Sequence, residues 1–299
     1  MRPGARLRDQ GGEKVRAAAG SVLVTGASAG IGREFARVFA SRGYDLILAA
    51  RSREAIAALA KELVATHGVV VKSLPVDLST SGAAQSMAHG LEQNGVSVDI
   101  LVNNAGVLFE GDFSSISLED HLRLLQINVV ALTSLTRLIL PSMVQRRCGR
   151  ILNVASTAAF MPVPRLATYA AAKAYVLSLT EALSEELRGT GVTATALCPG
   201  FTNTSMTRAS RLAKSVPTVM FMSAAAVAEE GVAACLAGET ICVPGVANRA
   251  LTSGVPILPR RLVRMLGGLM TAGGWGRTAS PSAARIPAIA KAEKETDER

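Results

Sequence analysis

Aromatic side chains are scarce in this chain: one Trp, three Tyr and seven Phe among 299 residues. Binding of single-stranded nucleic acid calls for basic residues interleaved with stacking aromatics, and no such stripe is present. The net charge is +9, yet much of the excess lies near the two ends, at Arg2, Arg6, Arg8, Lys14 and Arg16 and around Arg260, Arg261, Arg264 and Arg277. That distribution suits a solvated basic surface, with anionic cofactors or acidic thioesters as its beneficiaries, and not a nucleic-acid groove. Cysteines number four. Cys148, Cys198, Cys235 and Cys242 form no CxxC pair, and a chain of this size has no need of disulfide staples, so they read as reduced thiols of a cytoplasmic protein. His67, His89 and His121 are scattered singly, without metal-ligand spacing. No uninterrupted apolar run reaches the length of a membrane span. The nearest, Leu262 to Trp275, is broken by Arg264 and glycines and is compatible instead with peripheral contact at a membrane surface. Residues 1–20 carry charge but no apolar h-region, which argues against a signal peptide and for a flexible basic leader. There is no internal repeat and no second domain.

Ala, Val, Leu and Gly dominate, and 49% of the residues are hydrophobic. Such a composition suits helices packed closely on a parallel sheet more than a β-sandwich. Ser21 to Thr25 is a short apolar run that ends in Gly26-Ala27-Ser28-Ala29-Gly30-Ile31-Gly32, and helical periodicity follows over Glu34 to Arg42. Strand, glycine turn and helix together make a cradle: the glycines let backbone approach a ligand, and the helix N-terminus offers unpaired N–H groups to a pyrophosphate. Asp45 to Ala50 is a second strand with Arg51 at its end, where a dinucleotide fold presents the adenosine ribose. An acidic residue there accepts from a free 2′-OH, whereas an arginine pairs with a 2′-phosphate, so Arg51 predicts NADP(H). Arg53 stands nearby, with a plain surface role equally open to it. Ser52 is a fitting N-cap for a helix to about His67.

The alternation continues. Val69 to Val76 is a third strand ending at Asp77-Leu78, whose carboxylate either accepts from an adenine amino group or caps the next helix. A helix to about Asn94 leads to the strand Ile100 to Val102 and then Asn103-Asn104-Ala105-Gly106, residues that suit a turn and whose amides can lock adjacent strands. A long helix over Leu118 to about Gln145 carries Asn128 among Ile127, Val129 and Val130; its amide needs a partner, either a structural one or a site. Further strands are expected over Gly149 to Ala155, Val192 to Cys198 and Thr240 to Pro244, with helices over Thr168 to Gly189 and Ser223 to Leu236. The intervening stretch from Thr204 to Val219 has little periodicity and reads as a mobile loop over the site. Strand and helix repeated in this way predict an α/β fold, a doubly wound seven-stranded parallel sheet with helices on both faces. Ligands in such sheets bind beyond the carboxyl ends of the strands, and Gly26, Arg51, Asp77, Asn103, Ser156 and Pro199 all fall there. Residues 21–246 then form one dinucleotide-binding and catalytic domain. Residues 247–275 are an extension with a possible helix over Pro259 to Met270, and 276–299 are expected to be a disordered tail.

Tyr169 and Lys173 lie four residues apart on a predicted helix, which stacks phenol and ammonium on one face. A Lys⁺ beside a phenol favours the phenolate and so lowers the tyrosine's pKa, a device for proton transfer to an oxygen. The same spacing also occurs by chance on half-buried helices.

Taken together, Thr25-Gly26 to Gly30-Ile31-Gly32, Asp77-Leu78, Asn103-Asn104-Ala105-Gly106, Asn128, Ser156, Tyr169 with Lys173, and Pro199-Gly200 resemble the short-chain dehydrogenase/reductase family, in the family's order over roughly residues 21–245. Wording at Gly149 to Ser156, Met161-Pro162-Val163-Pro164 and Leu258-Pro259 is similar to the branch of long-chain 3-oxoacyl-CoA reductases and 17β-hydroxysteroid dehydrogenases, and to related bacterial oxidoreductases. The resemblance implies a Rossmann-type fold. It implies that Tyr169 is the catalytic acid/base, that Lys173 lowers its pKa and holds the nicotinamide ribose, that Ser156 hydrogen-bonds the substrate oxygen and that Asn128 orders a relay water. It implies NADP(H) contacts by Gly26, Ser28, Gly30, Ile31, Gly32, Arg51, Asp77, Leu78, Asn104, Ala105, Gly106, Tyr169, Lys173, Pro199, Gly200 and Thr202, and a homodimer or homotetramer through the helices around 118–145 and 168–189. The expected substrate is an apolar carbonyl or alcohol, in a pocket lined by Val107 to Gly111, Thr157 to Leu166 and Phe201 to Met222, with Phe109, Phe160, Met161, Val163, Phe201 and Met206 making it greasy. A cofactor-sensing protein without turnover is the contrasting reading; its signature would be loss of Ser156, Tyr169 or Lys173, and all three are present.

Overall fold

Seven short apolar runs pair side by side in the computed structural model, which describes residues 19–210, 213, 216–255 and 258–272. The strands are β1 (Ser21–Thr25), β2 (Asp45–Ala50), β3 (Val71–Pro75), β4 (Ile100–Asn103), β5 (Gly149–Val154), β6 (Val192–Leu197) and β7 (Ile241–Cys242). All pair in parallel, in the order β3-β2-β1-β4-β5-β6-β7. The order reverses between β1 and β4, and a crevice opens at their carboxyl ends. Nearly all of the leader expected at 1–20, and the whole tail expected at 276–299, lie outside the described residues.

Alternating side chains serve opposite faces of this sheet. Val22 and Val24 pack with Phe35, Phe39, Leu46 and Leu48 on one side, under α1 (Gly30–Ser41) and the later helix Ala224–Ala237. Leu23, Ile47 and Leu101 pack with Leu135, Ile139 and Ile151 on the other. Strands buried on both faces need apolar residues throughout, which is why these runs were legible as strands without a period of two.

Local signals place the helices. Ser52 caps α2 (Arg53–His67) by accepting from Ala55 N at 3.2 Å, and Gly68 ends it in the left-handed region at φ 63°. α3 spans Ala83–Gln93. Ser117 caps α4 (Leu118–Gln145), with Glu119 and Asp120 favourable to the helix dipole in its first turn. α4 is long and apolar enough to cross a membrane by length and composition. Its Leu124, Ile127, Ala131, Leu135, Ile139 and Met143 are nevertheless buried at spacings of three and four, as a core helix requires. Its middle, Gln126–Ala131, winds as π-helix, a local departure that a sequence period does not show. α5 is Ala167–Glu186.

Beyond α5 the structure departs from the sequence reading. The stretch expected as a loop over Thr204 to Val219 contains a short helix α6 (Ser205–Ala209), capped by Thr204, and a 3-10 turn over Thr218–Met220. A two-residue ladder, Thr202–Asn203 with Met222–Ser223, pins both sides of it. α7 (Ala224–Ala237) follows, and the seventh strand is only Ile241–Cys242. The extension holds two helices, α8 (Val246–Gly254) and α9 (Arg260–Ala272), where one was expected.

Candidate active site

The glycine turn after β1 is shaped by close approach. Gly26 and Gly30 sit at φ +66° and +55°, where a side chain strains the backbone. A methyl at Gly32 would lie 2.2 Å from Gly26 O and 2.4 Å from Asn104 Nδ2. The turn runs straight into α1, whose N-cap Ala29 supplies no side-chain bond, so the first N–H groups of the helix are left for a ligand. Asn104 Nδ2 donates to Thr25 O at 2.9 Å and Gly26 O at 3.2 Å, while Thr25 Oγ1 accepts from Asn104 N and Ala105 N. These bonds lock β1 to β4 at the crevice, as the sequence suggested for these amides. Asn103 extends the lock: its Nδ2 donates to Asn153 Oδ1, and Asn153 Nδ2 donates to Thr180 Oγ1 on α5.

At the far end of the crevice Arg51 is exposed and has no ion pair among the described residues. Asp77 lines the crevice and does not cap the next helix, the structural alternative the sequence left open. Its Oδ1 accepts from Ser79 N and Ser79 Oγ at 2.9 and 2.7 Å, closing a turn, and α3 begins six residues later after Gly82. Burial pushes this carboxyl up, but the Ser79 bonds and the fields of Arg51 and Arg123 outweigh it and hold the carboxyl below its ordinary range.

Ser156 leaves β5 as the N-cap of a 3-10 turn over Thr157–Ala159, its Oγ accepting from Ala158 N. The neighbouring backbone is held to β6 and its loop by Ala155 N to Leu197 O and Thr157 N to Pro199 O. Tyr169 and Lys173 do share one face of α5, with Lys173 Nζ 5.7 Å from the centre of the phenol ring. The expected lowering of the tyrosine's pKa does not appear in the protein alone. Burial pushes Tyr169 up, opposed only by a hydrogen bond from Ser156, and burial also brings Lys173 down to about 8. Desolvation disfavours both charged forms and dominates at each group. One turn back, His121 Nε2 donates to Phe113 O, so in neutral imidazole Nδ1 accepts from Thr168 Oγ1 at 2.7 Å, tying the start of α5 to α4.

Asn128 resolves towards the structural alternative as far as its side chain is concerned. Val107 N donates to its Oδ1 at 2.9 Å and its Nδ2 donates to Val107 O at 3.0 Å, 21 residues apart in sequence.

Two adjoining spaces result. A cleft of about 230 Å³ is lined by Gly26, Ser28, Gly30, Ile31, Arg51, Asp77, Leu78, Asn104, Ala105, Gly106, Ser156, Tyr169, Lys173, Pro199, Gly200 and Thr202. Of the residues expected at the cofactor or in catalysis, only Gly32 and Asn128 are absent from that lining; Gly32 stands behind Gly26 and Asn128 behind Val107. A smaller cavity of about 140 Å³ is lined by Met161, Val163, Phe201 and Met206 and by Leu108, Leu166 and Met220, all within the three stretches expected to wall it. Phe109 and Phe160 are not part of it; Phe160 packs on the cluster of Leu132, Val176 and Cys198. Ser156, Tyr169, Gly200, Met206 and Thr207 line both spaces. Sequence reasoning missed Asn248, Leu251 and Gly267 of the extension, which close the cavity. It also missed Glu110, a buried carboxylate that accepts from Ser210 Oγ at 2.7 Å and anchors the segment after α6. Their neighbours along the chain give no signal of either contact.

A sequence profile of short chain dehydrogenases matches residues 20–215. The ketoacyl reductase HetN of Nostoc sp. is 35% identical over 188 residues, 62% of this chain and 65% of that protein. A very-long-chain 3-oxoacyl-CoA reductase of Mycosarcoma maydis is 35% identical over 201 residues, 66% of this chain and 57% of the relative. The aligned region thus spans less than two thirds of the length of these curated relatives. Among solved structures, a short-chain dehydrogenase from Sphingobium yanoikuyae in complex with NADPH superposes with a TM-score of 0.73 at 30% identity, covering 87% of this chain and 98% of that one.

Proposed function

The chain belongs to the short-chain dehydrogenase family, and from that premise we propose that it is an NADP(H)-dependent oxidoreductase interconverting a carbonyl and an alcohol on an apolar substrate. The observation that carries this reading is the junction at Ser156 and Tyr169, whose hydroxyls, with that of Thr207, line both the cleft and the apolar cavity. A carbonyl held in the cavity meets the cleft at those hydroxyls.

The cleft fits a dinucleotide. A pyrophosphate suits the uncapped start of α1 and the glycine backbone that no methyl can occupy. Arg51 offers an unpaired guanidinium to a 2′-phosphate. When bound, the nicotinamide supplies or accepts hydride. Tyr169 then gives its phenolic proton to the oxygen of a carbonyl being reduced, or takes one back in oxidation, and Ser156 hydrogen-bonds the same oxygen. Lys173 bears positive charge within reach of the phenol at neutral pH, where developing phenolate needs it most. The apolar walls Met161, Val163, Phe201 and Met206 exclude water from the exchange. Among apolar carbonyls, the 3-oxoacyl thioesters named for the relatives are the first class to try.

We expect NADPH absorbance to fall on addition of a 3-oxoacyl thioester, a ketosteroid or a small aldehyde, and the Tyr169→Phe variant to lose that turnover. Tight NADPH binding with no turnover across the panel would favour a cofactor sensor on this fold.

We also propose that the chain forms a homodimer or homotetramer. Leu118, Leu122 and Leu125 recur at spacings of four and three on α4 and stay exposed, with Val130 and Tyr175 also uncovered. A Leu122→Glu variant that kept the wild-type mass by light scattering would rule out this face. The four thiols are unpaired, three of them buried, which suits the reducing cytoplasm proposed as its location; a fluorescent fusion recovered with an exported fraction would count against it.

A further inference from the structure

α9 divides its surface three ways. Val263 is buried, and a methyl at Gly267 would stand 2.3 Å from Pro162 O, so this side is pressed onto the loop that walls the apolar cavity. Arg260, Arg261 and Arg264 occupy one exposed flank. The helix contains no acidic residue, and none of the three is ion-paired among the described residues. Leu262 and Met265, three residues apart, occupy the other flank at 42% and 56% exposure, with Leu258 exposed just before them.

Exposed apolar side chains beside unpaired arginines match an anionic lipid surface, which offers phosphates to one flank and an acyl boundary to the other. A second copy fits poorly, because a two-fold contact of α9 with itself would bring six arginines together. The neighbouring cavity points to the same occupant. Leu251 of α8 lines it together with Gly267 and is itself exposed, so the cavity wall reaches the surface beside α9.

We infer that α9 is a membrane seat. Its arginines lie among anionic headgroups, Leu262 and Met265 enter the acyl boundary, and the protein rests on a bilayer with its apolar cavity beside the lipid. That the cavity draws its substrate from the lipid rests on the oxidoreductase reading; the seat itself does not.

The test is co-sedimentation of the full chain with phosphatidylcholine vesicles, with and without phosphatidylglycerol, and without turnover. We expect partition into the anionic vesicles that weakens as salt is raised. Replacing all three arginines (R260Q, R261Q, R264Q) should lower the partition on the order of a hundredfold, at about fivefold per charge. Leu262→Ser with Met265→Ser should lower it on the order of tenfold. Both variants should keep the wild-type melting temperature and NADPH affinity, because these side chains are exposed and outside the cleft. Three outcomes would overturn the inference. The first is no binding to anionic vesicles at low salt. The second is binding that survives the triple substitution, which would assign it to the basic leader. The third is a halved solution mass for the Leu262 and Met265 variant with vesicle binding intact, which would assign the stripe to a second copy.

Discussion

Lys173 Nζ donates to the carbonyl of Val154 across 2.7 Å, and that bond holds an ammonium in a nearly dry interior. Burial favours the neutral amine and lowers this pKa to about 8, against about 10.4 for an unfolded lysine. Below about pH 8 both states carry the proton and the folded state bears the full cost of burying charge; above it the folded state releases the proton while the unfolded state keeps it. Stability in the cofactor-free protein should therefore rise with pH between about 8 and about 10.4, at up to about 1.4 kcal/mol per pH unit from this group. Lys173→Met removes the group. Urea midpoints followed across that window should climb for the wild type relative to Lys173→Met, and parallel curves would refute the assignment.

Tyr169 shifts in the opposite sense to the one its neighbour suggested. With burial pushing its phenol up, the cofactor-free protein holds Tyr169 protonated through neutral and mildly alkaline pH. Spectrophotometric titration should show the ionisation that Tyr169→Phe removes displaced above the ordinary tyrosine range. A tyrosinate wave below about pH 9, present in the wild type and missing from the variant, would mean that the Lys173 charge prevails.

Glycines test the cradle by contrast. Gly32→Ala drives a methyl against Gly26 O and the Asn104 amide, so the clamp between β1 and β4 must shift. The expected cost is about 1–3 kcal/mol of stability, with most NADPH affinity lost. Gly90→Ala on α3 meets nothing within 4 Å and should be neutral or stabilising by up to about 1 kcal/mol. Similar melting temperatures for the two variants would show that the close approach at Gly32 does not matter.

The reach of the sequence follows from where information is local. β1, β2, β4, β5 and β6 were readable because each is a four- to six-residue apolar segment bounded by turn residues, and the glycine turn because a close approach demands glycine whatever lies opposite. Ser52 and Asn104 acted through nearby backbone or an adjoining strand. The seventh strand was overextended, since its apolar run outlasts a ladder of only two residues. Asn248, Gly267 and Glu110 act on partners that only tertiary packing supplies. The balance between burial and charge at Tyr169 and Lys173 was illegible for the same reason, because spacing reports proximity and says nothing of dryness.

Arg51 is where cofactor choice is expected to reside. It is exposed and unpaired at the end of β2, beside an Asp77 whose own hydrogen bonds stay within its turn. A charge-assisted contact to a 2′-phosphate typically contributes about 1.5–3 kcal/mol, so Arg51→Ala should weaken NADPH on the order of tenfold to a hundredfold. NADH, which lacks that phosphate, should bind the variant as it binds the wild type. Fluorescence titration with both nucleotides decides the matter, and an equal loss for both would move the arginine's role from recognition to structure.

Asn128 offers the sharpest separation between holding a site and performing its chemistry. Both ends of its amide are committed to the backbone of Val107, and Val107 lines the cleft. In Asn128→Ala the N–H and C=O of Val107 lose their partners, at about 1–3 kcal/mol for each group left unsatisfied. Asn128→Asp keeps the acceptor for Val107 N, loses the donor to Val107 O and brings a carboxylate into a buried place. If the residue works by positioning, Asn128→Ala should lower NADPH affinity and thermal stability together, and Asn128→Asp should recover part of both at low pH, where a protonated carboxyl can donate again. Full stability and affinity in Asn128→Ala, with turnover alone abolished, would instead make Asn128 a direct participant in proton transfer.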